Sequence, residues 1–352
     1  MTHSPLIRWN DAYAVALPLS PDAEDPRGWD FLGHVPVPVR QRVRDAVADV
    51  VSHHAALGGE ALNSCFPMGQ GGMGPMERLR FIRRLEDFPN MLVSAEDGGA
   101  FNRRFLAEHG AAFAACQPPV LHPAFAEAGL VDPLARVGVY AVAPFVLLID
   151  RQKLDGLPVP QRWVDLLQPD YRDQIVFGGW RPQGAESYRH YNMYFLLSIF
   201  RRFGENGLIK LLANVAGVMH SAEMPRRAGS NRSTGGIYVL PWSLADLCPR
   251  RDVTEVVWPQ DGALAYPLWL TVKAAERERL SVLTDYFYGE ALARYLGKNR
   301  YPAAIGIGES VPRAARLQWL GWDYVRHPTL GQDIKRIRSF FRAAMSARCV
   351  CV

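Results

Sequence analysis
The chain has 352 residues, of which 49% are hydrophobic and 21% charged. This length and balance exclude an intrinsically disordered protein and leave room for two α/β lobes. The formal charge of +5 comes almost wholly from arginine. It reads either as a compositional preference or as the mark of an anionic ligand or partner, and the lack of dense Lys/Arg runs with interleaved aromatics argues against nucleic acid.

Residues 1–36 are rich in Pro and Asp and read as irregular. Val43, Val47, Val50 and Val51 fall at helical spacing before Gly58-Gly59, which predicts a helix from about Gln41 to Leu57. A first strand is expected over 61–69, then the Gly-rich loop 69–74 and a basic helix opened by Pro75. MLVSAE (91–96) reads as a second strand, and a helix over 101–110 is closed by Gly110. The apolar run 137–150 contains Pro144, so it is expected to be an edge or a crossover between lobes. A short helix ending before Pro169 and a strand follow, up to Gly179. Helices are expected over 185–204, stopped by Gly204, and over 207–217. A polar Gly/Ser/Asn loop then leads into the strand IYVL, a helix start, a strand through 253–258, a Pro-x-x-Gly turn and a strand near 264–272. Residues 278–299 and the region after Gly331 read as helical. Strands alternating with helices predict α/β lobes with largely parallel sheets.

The five cysteines, Cys65, Cys116, Cys248, Cys349 and Cys351, are odd in number and scattered, unlike a disulfide framework. Cys349 and Cys351 read as a frayed tail or as a soft-metal or redox tail. Asp11, Pro18 and Pro21 interrupt the apolar core that a secretory signal requires. No apolar run reaches the roughly 18 residues of a membrane span. The expectation is a cytoplasmic protein as encoded, periplasmic if translation starts upstream.

The segments APFVLLIDRQKLDGLPVPQRWVDLLQPDYRDQIVFGG, GGIYVLPWSLADL and WPQDGALAYPLWLTVK resemble the solute-binding proteins of ABC importers with the type 2 periplasmic-binding fold. The nearest group is the ferric-iron, polyamine and aminoethylphosphonate binders. The resemblance covers roughly residues 60–310. It implies two α/β lobes joined by crossover hinge strands, with 60–140 and 265–352 in lobe 1, 141–264 in lobe 2 and 1–59 as an N-terminal extension with a helix. It also implies a small-molecule or ion ligand, anionic or metal-containing, in the cleft between the lobes, and an ABC permease as partner if the chain is exported.

Several patterns suit such a ligand. Gly71, Gly72 and Met73 lie between a strand and a helix, where glycines let backbone amides approach an anion. Ser94 and Glu96 end the second strand, and ligands in α/β folds sit at the carboxyl ends of strands. Tyr188 and Tyr191 share a helix face with Asn192 and offer hard oxygen donors. Ser230 and Asn231, flanked by Arg226, Arg227 and Arg232, offer hydroxyl, amide and guanidinium groups to an anion. Tyr238, with Trp242, reads as a cleft wall or as core, and Tyr266 on the return strand completes the set. Each pattern also has a plainer reading as a turn, a helix cap, an aromatic stripe or a surface loop.

Neither G-x-S-x-G nor H-E-x-x-H nor a P-loop occurs, so no residue is singled out as catalytic. No cofactor or metal is assigned. A cytoplasmic enzyme or cofactor-handling protein on the same fold remains the alternative, since fold does not fix function.

Overall fold
The computed structural model describes residues 7–8, 28–67, 75–95, 103–180, 190–306, 311–312 and 315–349. They fall into two compact units. Unit 1 comprises Met1–Ala126, Leu130–Val142 and Pro267–Ser310, and unit 2 comprises Glu127–Gly129, Ala143–Tyr266 and Val311–Val352.

Unit 1 opens with β1 (Ile7–Arg8), β2 (Phe31–Gly33) and α1 (Val37–Ala56). Val39, Val43, Val47 and Val51 recur at helical spacing on the buried side of α1, and Pro38 sits in its first turn, where a missing N–H costs nothing. Then come β3 (Ser64–Cys65), α2 (Pro75–Arg78), β4 (Met91–Ser94), α3 (Arg103–His109), β5 (Phe113–Ala114) and α4 (Pro123–Glu127). The strand expected over 61–69 is thus only a short bridge. β1, β3, β2 and β4 lie side by side and parallel. β2, inside the expected N-terminal extension, is therefore an integral strand of this sheet.

β6 (Gly138–Asp150) leaves unit 1 and is buried along its whole length. In unit 2 it is followed by α5 (Arg151–Leu154), β7 (Ile175–Trp180), β8 (His190–Tyr191), α6 (Met193–Asn214), β9 (Val215–Met219) and α7 (Met224–Arg227). Next are β10 (Ile237–Pro241), α8 (Trp242–Ala245), β11 (Thr254–Val257) and β12 (Ala263–Lys273). β12 carries the chain back to unit 1, where Trp269–Val272 pair antiparallel with β4. α9 (Ser281–Phe287) and α10 (Glu290–Lys298) complete unit 1, while β13 (Leu317–Gln318), α11 (Trp322–Arg326) and α12 (Leu330–Cys349) belong with unit 2.

The expected crossover is present in β6, but within unit 2 this strand is also central. Leu147 to Ile149 pair with β10 on one side and β11 on the other. Proline is tolerated because Pro144 precedes both ladders and no sheet N–H is demanded of it. The helix expected to stop at Gly204 does break there: φ +67 and ψ −167 interrupt α6, which resumes to Asn214. Residues 215–217, expected to be helical, are strand β9 instead.

The sheet of unit 2 separates its side chains by strand alternation. Phe145, Leu147, Ile149, Ile237 and Val239 face a core shared with α6 and α12, while Val146, Leu148, Tyr238 and Leu240 face one that includes Met224 and Ala245. α12 adds Ile337, Phe341 and Met345 to the first core, which is why residues after 310 group with unit 2, not with the lobe 1 expected for them. The Trp163 indole donates to Gly262 O at 2.7 Å, the Tyr171 hydroxyl to Pro158 O at 2.8 Å, and the Asn214 amide to Leu166 O and Gln168 O. The W-V-D-L-L and P-D-Y-R motifs are therefore framework that fixes the turn before β12 and the end of α6.

Candidate functional site
β9, β7 and β10 are parallel, so their carboxyl ends emerge at one edge of unit 2. Gly178, Gly179 and Trp180 come from β7, His220 and Ser221 follow β9, and Pro241 ends β10. Antiparallel β6 begins at this edge, with Phe145 in register with Pro241. With Tyr191 and Asn192 these residues line a cavity of about 280 Å³.

Asn192, His220 and Tyr191 are each fixed by a local contact. Asn192 caps α6: its Oδ1 accepts from Phe195 N at 3.0 Å, and its own N–H donates to Gly178 O at 2.7 Å. The cap uses the carbonyl oxygen and leaves the side-chain NH2 as a donor. His220 Nδ1 accepts from Ala222 N at 3.3 Å, which puts the proton of a neutral ring on Nε2. The Tyr191 ring stacks on Phe341 with centroids 4.1 Å apart. Burial holds its phenol above the usual value against the pull of Arg338 and Arg342. Tyr191 is therefore a neutral phenol at neutral pH, with its O–H available to donate. The site presents donors and has arginines behind it. Among the described residues, no group of three or more His, Cys, Asp or Glu could hold a metal ion.

Of the described residues singled out in the sequence, Tyr191 and its neighbour Asn192 line this cavity. Tyr191 does so from β8, with Asn192 as the cap of α6, so the two share no helix face. Tyr266 stands edge-on to Tyr194, 4.9 Å between centroids, and Tyr194 packs on Phe145 of the cavity wall. Ser94 is buried at the end of β4 in unit 1, in register with Trp269. Tyr238 is fully buried and is core: its hydroxyl pairs with Ser233 Oγ at 2.8 Å and accepts from Thr234 N. Ser230 and Asn231 precede β10 and lie at the opposite edge of the sheet. Gly71, Gly72, Met73, Glu96, Tyr188 and Cys351 lie outside the described residues.

Residues 86–328 match the family of bacterial extracellular solute-binding proteins. The chain belongs to this family. Among solved structures, this solute-binding protein is similar to a Bordetella ferric binding protein, with TM-score 0.57 and 14% identity over 89% of this chain and 98% of the other. A Trichodesmium protein in complex with iron and citrate aligns with TM-score 0.57 and 13% identity over 88% and 98%. The Mannheimia haemolytica ferric iron-binding protein A, in an open conformation, aligns with TM-score 0.55 and 10% identity over 90% and 98%. These likenesses establish a shared fold. No curated protein matches the sequence. No helix of the described residues is long and apolar enough to cross a membrane. The family does not favour the enzyme alternative.

In this solute-binding protein the sequence reading missed His220, Ser221 and Trp180. His220 is hidden because the strand that delivers it begins inside the helix expected over 207–217, and a residue shortly after a helix carries no expectation of a ligand. Trp180 had a visible signal, the F-G-G-W that ends β7.

Proposed function
We propose that the chain is a receptor for a small oxyanion, free or as a metal chelate, which it binds through the carboxyl-end cavity of unit 2. The observation that carries this reading is the convergence of Tyr191, Asn192, His220 and Ser221 on one cavity, with Arg338 and Arg342 acting on the Tyr191 phenol. A donor-rich rim with cationic backing suits carboxylate or phosphonate oxygens better than a bare cation. The Bordetella and Mannheimia proteins are named for ferric iron, and the Trichodesmium protein holds iron with citrate. A ferric carboxylate complex joins both chemistries and heads the list of candidates. The receptor acts outside the cytoplasm and passes its solute to an ABC permease.

The test is thermal shift and calorimetry with citrate, ferric citrate, an alkylphosphonate and a ferric salt. A cognate anion at a hundred times its Kd stabilises the fold by about 2.7 kcal/mol. Tyr191→Phe and Asn192→Ala each weaken its binding. Two results overturn the reading. One is the absence of any shift with every anion. The other is binding of ferric ion alone, with a visible tyrosinate band that Tyr191→Phe removes.

A further inference from the structure
Unit 2 has a second concavity at the opposite edge of its sheet. It has a volume of about 540 Å³, and Arg226, Arg227, Arg232 and Arg250 line it against a single acid, Glu223. The residues reach it from the end of α7, from the loop before β10 and from the turn before β11. Asp150 marks its place on the sheet, because its Oδ2 accepts from Gly229 N at 2.7 Å. Phe145, in the wall of the solute cavity, lies five residues back along β6. At roughly 3.3 Å per residue the two sites are about 16 Å apart, too far for one small solute to touch both.

The arginines do different work. Arg250 donates to Arg226 O at 2.9 Å and Ala228 O at 3.3 Å, so it is spent on backbone carbonyls at the end of α7. Arg227 has only a long contact of 3.8 Å with Glu223. The guanidinium groups of Arg226 and Arg232 have no hydrogen-bond or ion-pair partner among the described residues. The loop itself is internally satisfied. Ser230 Oγ donates to Arg227 O at 2.7 Å and accepts from Arg232 N at 3.2 Å, which leaves the Asn231 side chain, not Ser230, as the polar group on the rim. Gly229 seats the loop: at φ +71, a Cβ there would stand 2.8 Å from Val253 and 3.1 Å from the Arg250 Cβ. Four like charges held in one concavity repel one another, and nothing in the fold requires Arg226 and Arg232 to face it. Planar guanidinium forks match oxyanions that offer several oxygens at once.

We infer that this arginine concavity is a second binding site, selective for multivalent oxyanions of the diphosphate class and separate from the solute cavity. The inference does not depend on the solute reading. The probe is inorganic pyrophosphate, titrated calorimetrically into the whole chain at low ionic strength, with orthophosphate as the lower-valence control. Pyrophosphate binds at one site, more tightly than orthophosphate, and its affinity falls as salt rises. The double variant Arg226→Gln/Arg232→Gln loses about tenfold or more in affinity and melts with the wild type, since neither guanidinium holds the fold. Tyr191→Phe binds pyrophosphate as the wild type does. The inference is overturned if the wild type does not bind at millimolar pyrophosphate or if the double variant binds unchanged. It is overturned equally if Tyr191→Phe abolishes binding, which would place the anion in the solute cavity.

Discussion

Replacing Asp150 by asparagine isolates what holds the arginine loop. The carboxyl group is 1% exposed and serves two backbone donors, with Oδ1 accepting from Lys153 N at 3.1 Å to cap α5 and Oδ2 from Gly229 N at 2.7 Å. Asparagine keeps the volume and one acceptor. Whichever way it turns, its NH2 faces one of the two backbone N–H groups, so one buried donor loses its partner. A hydrogen bond to a charged acceptor contributes about 1.5–3 kcal/mol, and relief from burying a charge offsets part of its loss. The net cost is about 2 kcal/mol, which lowers a melting midpoint by roughly 4–8 °C for a unit of this size. Circular dichroism melting at fixed pH and salt gives the first reading. The second is pyrophosphate affinity, which falls as the loop loosens, while stabilisation by the solute-site anion is unchanged. A variant that melts with the wild type and binds pyrophosphate equally well would show that Asp150 does not anchor the loop.

His34, in unit 1, supplies a pH prediction: burial, and secondarily Arg40, hold its pKa down at about 3 from 6.5. The folded state keeps it neutral, so its contribution is complete above about pH 6.5 and is lost as pH falls toward 3, by up to about 1.4 kcal/mol per pH unit. Urea midpoints of His34→Gln lose that part of the acid dependence, and identical pH profiles for variant and wild type would refute it. Gly204→Ala places a side chain at φ +67 and ψ −167, where no atom lies within 4 Å of its Cβ. The cost is backbone strain alone, about 1–3 kcal/mol, and an unshifted denaturation midpoint contradicts it. Trp163→Phe removes the 2.7 Å donor to Gly262 O in a fully buried setting and costs about 1–3 kcal/mol, read by urea unfolding. A midpoint matching the wild type would mean that the turn before β12 is held elsewhere.

Elements with a strong period or a hard stop were legible in the sequence. The valines of α1, the Gly204 break in α6 and the buried run of β6 all carry local signals that tertiary contacts reinforce. β9 was not legible: Val215-Ala-Gly-Val-Met continues an apolar helix without a break in pattern, and it becomes a strand only by pairing with β7. The role of α12 was equally hidden, because its pairing with α6 joins segments more than a hundred residues apart. For the site, hydrogen-bonding residues near glycines were visible, but their direction was not. Ser230 has the right chemistry for an anion and turns its hydroxyl inward to its own loop. Tyr238 has the right chemistry for a cleft wall, but strand alternation turns it to the core that includes Met224 and Ala245, while its neighbour Val239 lines the cavity.

The arginine excess, ambiguous as composition, separates once the partners are known. Arg279 is paired with Asp30 at 2.5 Å and Glu276 at 2.7 Å, and Arg202 with Asp261 at 3.0 Å. Arg40 donates to Val35 O at 3.1 Å from a buried position. These arginines hold the fold, and their charge is neutralised or spent on backbone. A compositional preference accounts for them without any ligand. It does not account for Arg226 and Arg232, which share one concavity without an ion-pair partner among the described residues, or for Arg338, which acts on a phenol at the opposite edge of the same sheet. Because β7, β9 and β10 are parallel, the two edges differ in chemistry. The carboxyl edge gathers loop donors and the cap of α6, while the amino edge gathers the guanidinium groups. Salt tests the amino edge: surface arginines without an ion-pair partner among the described residues lose anion affinity steeply as ionic strength rises.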